Sequence, residues 1–157
     1  ITTRLVGSEM CIREGISTRP YKIISDGAYH YCASNKGNYL GRVAVAPETV
    51  NEFVTFYPGK SNYKSLSIDF IKSDISGKGV GKFLIDFVKD LSHKLGCEGR
   101  VHVIAGNFGQ KTTPPQIFFR KQGFTTANKK HLDIIDQAIK TGNYNCSLGS
   151  TPMYLEI

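Results

Sequence analysis

No run of apolar residues in this 157-residue chain is long enough to cross a bilayer and no secretory leader is apparent, so the expectation is a cytoplasmic protein rather than a membrane-spanning one. Cysteines are few and scattered. Cys11, Cys32, Cys97 and Cys146 form no Cys-x-x-Cys pair and no histidines cluster with them, which argues against a metal site or a disulfide framework and for free thiols. No repeat, low-complexity tract or long linker divides residues 1–157, a length that suits one domain with its own core. The formal charge is +7, from 20 Lys and Arg against 13 Asp and Glu, but the basic residues are spread along the chain with no aromatic-basic pattern of a known RNA or DNA module. That distribution argues against nucleic acid as the partner.

What is present is a glycine-rich turn between two regular elements. Leu66-Ser67-Ile68-Asp69-Phe70-Ile71 alternates and is rich in β-branched and aromatic residues, the pattern of a strand. After it come Ser76-Gly77-Lys78-Gly79-Val80-Gly81-Lys82. Val80, Phe83, Leu84, Phe87, Val88, Leu91 and Leu95 then recur at helical spacing, with Lys82, Asp86, Lys89, Asp90 and Lys94 opposite, which predicts a helix ending near Gly96. Alternating glycines at such a turn let the backbone approach a ligand closely, and the N–H groups of the first helical turn present the positive end of the helix dipole to it. A phosphate or pyrophosphate is the ligand this arrangement suits.

Companion residues narrow the choice. A Walker-type loop needs Ser or Thr after its lysine, and Lys82 is followed by Phe83; a dinucleotide fingerprint is Gly-x-Gly-x-x-Gly early in a βαβ unit; and neither His-Arg-Asp nor Asp-Phe-Gly occurs in the chain. Residues 76–81 instead resemble the Gln/Arg-x-x-Gly-x-Gly/Ala pyrophosphate loop of the GNAT superfamily of acetyl-CoA-dependent N-acetyltransferases, with Ser76 departing from its Gln or Arg. A second stretch supports the resemblance. Arg100 to Ala105 has strand character, and Pro114-Pro115-Gln116-Ile117-Phe118-Phe119-Arg120-Lys121-Gln122-Gly123-Phe124 is similar to the family's next helix with its Phe-Tyr-x-Lys-x-Gly-Phe ending. Pro at the start, apolar residues within and Gly at the end form a consistent helix in their own right.

Other segments are read locally. Ala28–Ser34 and Tyr39–Ala46 flank Asn35-Lys36-Gly37-Asn38, a hairpin signal. Lys129–Thr141 carries an apolar stripe of Leu132, Ile134, Ile135, Ala138 and Ile139 and stops at Gly142-Asn143, predicting a helix, and Met153–Ile157 predicts a last strand. Arg4 to Arg13 resembles a translated adaptor, so residues 1–14 are taken as non-native or disordered and left out of functional reasoning. The expected architecture is α+β: a GNAT-like mixed, mainly antiparallel sheet flanked by helices. Its N-terminal part is expected to be shortened, the chain being either truncated or abbreviated there, since about 27 residues precede the hairpin where the family has a strand and two helices. The helix at 129–141 is an addition, since most members join their last two strands by a loop.

The resemblance implies transfer of acetyl from acetyl-CoA to a primary amine by direct attack, without a metal. It places backbone groups of Phe70 and Ile71 on the acyl-pantetheine arm, Ser76, Gly77, Lys78, Gly79, Val80, Gly81 and Lys82 around the pyrophosphate, Asn107 on the pantetheine, and Phe119 where many members carry the tyrosine that protonates the departing thiolate. Phenylalanine donates no proton, so Tyr154, Tyr144 or water stands in for it. Asp69, on the strand before the loop, is the first candidate for the base, with a solvated or paired carboxylate as the alternative; His102 is the second. Arg120 and Lys121 either meet CoA phosphates or are ordinary surface cations. The acceptor is expected to be a small-molecule amine and the protein a monomer or homodimer. A CoA-binding module without catalysis is the alternative, and a basic RNA-associated domain ranks below it.

Overall fold

The computed structural model describes residues 16–23, 28–51, 55–73, 79–106 and 113–156, and divides into two compact units. Residues 1–14, Ser76, Gly77, Lys78 and Asn107 lie outside the described residues.

The first unit is built from strands β1 (Ile16–Ile23), β2 (Tyr29–Asn35), β3 (Asn38–Val50) and β4 (Tyr63–Ser73), which lie side by side in that order, and helix α1 (Val80–Lys94). β1 pairs antiparallel with β2, and β2 with β3 through the predicted hairpin. Its turn places Lys36 at φ 51° and Gly37 at φ 81°, two successive left-handed residues that match the twist of the flanking strands. α1 buries the face that its periodicity marks, including Phe83, Leu84, Phe87, Val88 and Leu91, with the Phe87 ring edge-on to the buried Tyr31 of β2 at 4.7 Å.

The end of α1 is stapled to the start of β4. Ser92 donates its hydroxyl to the Arg100 carbonyl at 2.7 Å, Arg100 donates Nε to the Lys64 carbonyl at 2.7 Å and pairs with Glu98 at 2.8 Å, and the Leu66 N–H reaches the Arg100 carbonyl at 3.1 Å. These bonds satisfy a buried guanidinium and fix where β4 begins, eleven residues that end at the glycine-rich turn.

The second unit contains β5 (Val101–Gly106), α2 (Pro115–Lys121), β6 (Phe124–Thr125), α3 (Lys129–Thr141) and β7 (Ser150–Leu155). β7 runs antiparallel to both β5 and β6, with Ala105 opposite Thr151, His102 opposite Tyr154 and Phe124 opposite Leu155. α3 occupies the predicted residues. Asn128 caps it, its side chain accepting the His131 N–H at 3.1 Å, and Gly142 closes it in the left-handed conformation. It buries Ile135 and Ala138 and adds polar contacts: Arg120 of α2 pairs with Asp136 at 2.9 Å, and His131 Nδ1 lies 2.7 Å from the Thr151 hydroxyl of β7. The last strand starts at Ser150, three residues before its expected start.

Taken element by element, the protein is α+β with mainly antiparallel strands flanked by helices, as expected. The strand at 16–23 is an addition to the expected set.

Candidate functional site

Among the described residues no anion sits at the first helical turn of α1. Gly79 precedes it at φ 75°, no described side chain caps it and no acidic residue occupies its first turn. Phe83 N–H reaches the Gly79 carbonyl at 2.9 Å, and among the described residues no side chain accepts from the N–H groups of Val80, Gly81 and Lys82. By contrast α3 receives a conventional asparagine cap. A bare N-terminus entered through a left-handed glycine offers directed donors and a positive dipole end to an external anion. Among the described residues Lys82 adds a cation to this turn, well exposed and held by the half-buried Asp86 at 3.0 Å, an ion pair that costs little to exchange.

Gly41 explains how the strands close on this turn. A Cβ at Gly41 would lie 2.5 Å from the Lys72 carbonyl oxygen, 3.1 Å from the Ser73 Cα and 3.2 Å from a Val80 methyl, so β3 approaches the end of β4 and the start of α1 more closely than any side chain permits. Gly41→Ala is therefore expected to destabilise the fold by about 1–3 kcal/mol, because backbone atoms have to move to admit the methyl. Denaturant unfolding measures this, and a loss below a few tenths of a kcal/mol would contradict the close approach.

β4 delivers the residues before the turn. Asp69 is exposed at its surface, and the Ser67 hydroxyl, on a nearly buried residue, donates to its Oδ1 at 2.9 Å. Phe70 is 40 % exposed with the Arg42 guanidinium 4.7 Å above its ring, and Ile71 is half-buried. Asp69, Phe70, Ile71, Gly79, Val80, Gly81 and Lys82 thus belong to one unit, on β4 and the start of α1.

Three other candidates lie in the second unit. Phe119 is buried, with ring centroids 5.2 Å from Phe118 and 5.3 Å from Phe124. Phe119→Tyr inserts a hydroxyl into this packing, so an expected loss of about 1–3 kcal/mol in unfolding free energy measures the unpaired donor; unchanged stability would show that the added group reaches a partner. Tyr154 is half-buried beside Tyr57, centroids 4.7 Å apart, and burial first, then Glu156 and Tyr63, push its phenol above the ordinary tyrosine value. It remains a protonated donor at neutral pH.

His102 is buried, its ring 4.3 Å from that of Phe56, in an aromatic cluster with Tyr57 and Tyr63. The Tyr63 hydroxyl accepts the N–H groups of Phe56 and Tyr57 at 2.8 and 3.1 Å, which fixes the chain before β4 against Tyr154. That cluster was missed from sequence, as was Ser67. The only signal for Ser67 is its spacing, two residues before Asp69 and so on the same side of a strand. Lys121 donates to the Tyr144 hydroxyl at 2.7 Å and Arg120 is engaged by Asp136, so both cations have partners within the fold. Among the described residues no three His, Cys, Asp or Glu side chains gather as a metal site, and no helix is long and apolar enough to span a membrane.

No family model and no curated protein matches the sequence. Solved structures do match in shape. A GNAT family acetyltransferase from Elizabethkingia anophelis with acetyl-CoA bound superposes with a TM-score of 0.56 at 12% identity, covering 92% of this chain and 100% of that one. An acetyltransferase from Bacillus subtilis in complex with CoA gives 0.58 at 14% identity, covering 90% and 99%. A fungal multi-domain β-N-acetylglucosaminidase described as containing a glucosamine N-acetyltransferase region gives 0.51 at 19% identity, over 65% of this chain but only 12% of the fungal one. The fold of this chain is that of the GNAT superfamily.

Proposed function

We propose that this chain, having the GNAT fold, is an acetyl-CoA-dependent N-acetyltransferase acting on a primary amine, a small molecule rather than a lysine-rich peptide, which a chain of net charge +7 repels unless its acceptor site is locally acidic. The observation that carries the reading is the uncapped start of α1 behind Gly79, in the fold of proteins solved with CoA and acetyl-CoA. Residues 76–82 would hold the pyrophosphate through backbone N–H groups, with Lys78 and Lys82 adding charge; the Phe70 and Ile71 backbone would hold the acyl-pantetheine arm and polarise the thioester carbonyl, with Asn107 on the pantetheine and Phe119 supporting the site from within its own unit.

The reaction makes two proton demands. A primary ammonium must lose a proton before its nitrogen can attack, and the Asp69 carboxylate is the group we assign to accept it, directly or through water. The nitrogen then bonds to the acetyl carbon, the carbon–sulfur bond breaks with its electron pair going to sulfur, and the thiolate takes a proton from the Tyr154 phenol or from water.

Phe119 favours a second reading, a CoA-binding module without transfer, since the hydroxyl many GNAT members carry at this place is missing. Calorimetric titration with acetyl-CoA followed by a thiol-release assay on ethanolamine, putrescine, tyramine and glucosamine separates the two. Binding with amine-dependent thiol release is the expected result; binding without release supports the module, and no binding overturns both.

A further inference from the structure

We infer that Ser67 is a positioning residue for Asp69, an inference that rests on the transferase reading above. The two occupy consecutive same-side positions of β4, where alternate residues project together. Ser67 is 9 % exposed and Asp69 is exposed, so the pair runs from the interior of β4 to its surface. The Ser67 Oγ–H donates to Asp69 Oδ1 at 2.9 Å, and among the described residues this is the one hydrogen bond of the Asp69 carboxylate. One oxygen is thereby held and the other left to meet a substrate proton.

The geometry matters because an exposed aspartate on a strand otherwise samples several rotamers, each at a different distance from a bound amine. Serine holds its hydroxyl on a short side chain fixed by the strand, so the bond restrains the carboxylate at small entropic cost. A proton acceptor is efficient only within hydrogen-bond reach of the proton it takes, and losing the restraint lowers the fraction of bound complexes that are poised.

A double-mutant cycle tests this. Wild type, Ser67→Ala, Ser67→Thr, Asp69→Asn and Ser67→Ala/Asp69→Asn are assayed with acetyl-CoA and whichever of the four amines the wild type acetylates fastest, alongside calorimetry with acetyl-CoA. Ser67→Ala is expected to lower kcat about tenfold with the acetyl-CoA Kd unchanged, Ser67→Thr to restore most of the loss because the hydroxyl is kept, and Ser67→Ala to cost almost nothing further once Asp69 is Asn. A structural role alone would give additive losses, a weakened acetyl-CoA Kd or no rescue by Thr, and any of these would overturn the inference while leaving the transferase reading in place. Wild-type protein that binds acetyl-CoA and acetylates none of the amines would overturn the transferase reading and, with it, this role.

Discussion

Gly79→Asp protein is expected to fold and to bind no acetyl-CoA. Gly79 has φ 75°, a conformation that aspartate tolerates better than most residues, and a Cβ there meets no atom of the described residues within 4 Å. The cost to folding is about 1–2 kcal/mol of left-handed strain, offset in part by a carboxylate at the positive end of α1. The same carboxylate would stand where the pyrophosphate is proposed to lie. Two unit charges 4 Å apart near a protein surface repel by about 4 kcal/mol, which is roughly a thousandfold in affinity for each phosphate charge met at that distance. Gly79→Ala is the control: it shares the backbone strain without the charge and is expected to stay within about tenfold of wild type. Equal losses in both variants would mean that the backbone conformation, not phosphate recognition, governs binding.

Asp69→Asn is the second large effect. The side chain keeps its size, and an amide oxygen can still accept the Ser67 hydroxyl, so the fold and the acetyl-CoA affinity are expected to be unchanged. The amide cannot accept a proton from an ammonium, and turnover is expected to fall about 10²- to 10⁴-fold. Part of the loss should return at high pH, where the acceptor amine is already neutral in solution. A variant with wild-type kcat at neutral pH would remove Asp69 from the proton path and direct attention to another base.

How much of this is legible in the sequence depends on whether the determinants are local. An alternating run and a 3.6-residue stripe on either side of three glycines are enough to place β4 and α1, because each signal lies within its own segment. α3 was equally legible: its apolar stripe and Gly142 mark the helix without reference to anything it touches. β1 escaped because Ile16–Ile23 contains Pro20, which counts against a strand unless the pairing is irregular there, and the register shifts between Pro20 and Lys22. Pro152 hid the true start of β7 in the same way, since the pairing of Ser150 with Gly106 and of Thr151 with Ala105 reveals it.

The site divides along the same line. Gly79 as a left-handed entry to an uncapped helix follows from residue type, whereas the Ser67–Asp69 bond depends on rotamers, and the engagement of Arg120 by Asp136 and of Lys121 by Tyr144 depends on where α3 and the chain after it pack. Gly41 shows the limit most plainly. Its neighbours in sequence give no hint that the Lys72 carbonyl lies within 2.5 Å of where its side chain would be.

The central claim is that the start of α1 binds the pyrophosphate of acetyl-CoA through backbone N–H groups, and amide ¹H–¹⁵N shifts recorded during an acetyl-CoA titration test it most directly. A saturable titration in which Gly79, Val80, Gly81 and Lys82 show the largest shifts, moving downfield as N–H groups do when they donate to phosphate, is the predicted result. Saturable binding that leaves these four amides unmoved, or the absence of any binding by folded protein, would contradict it.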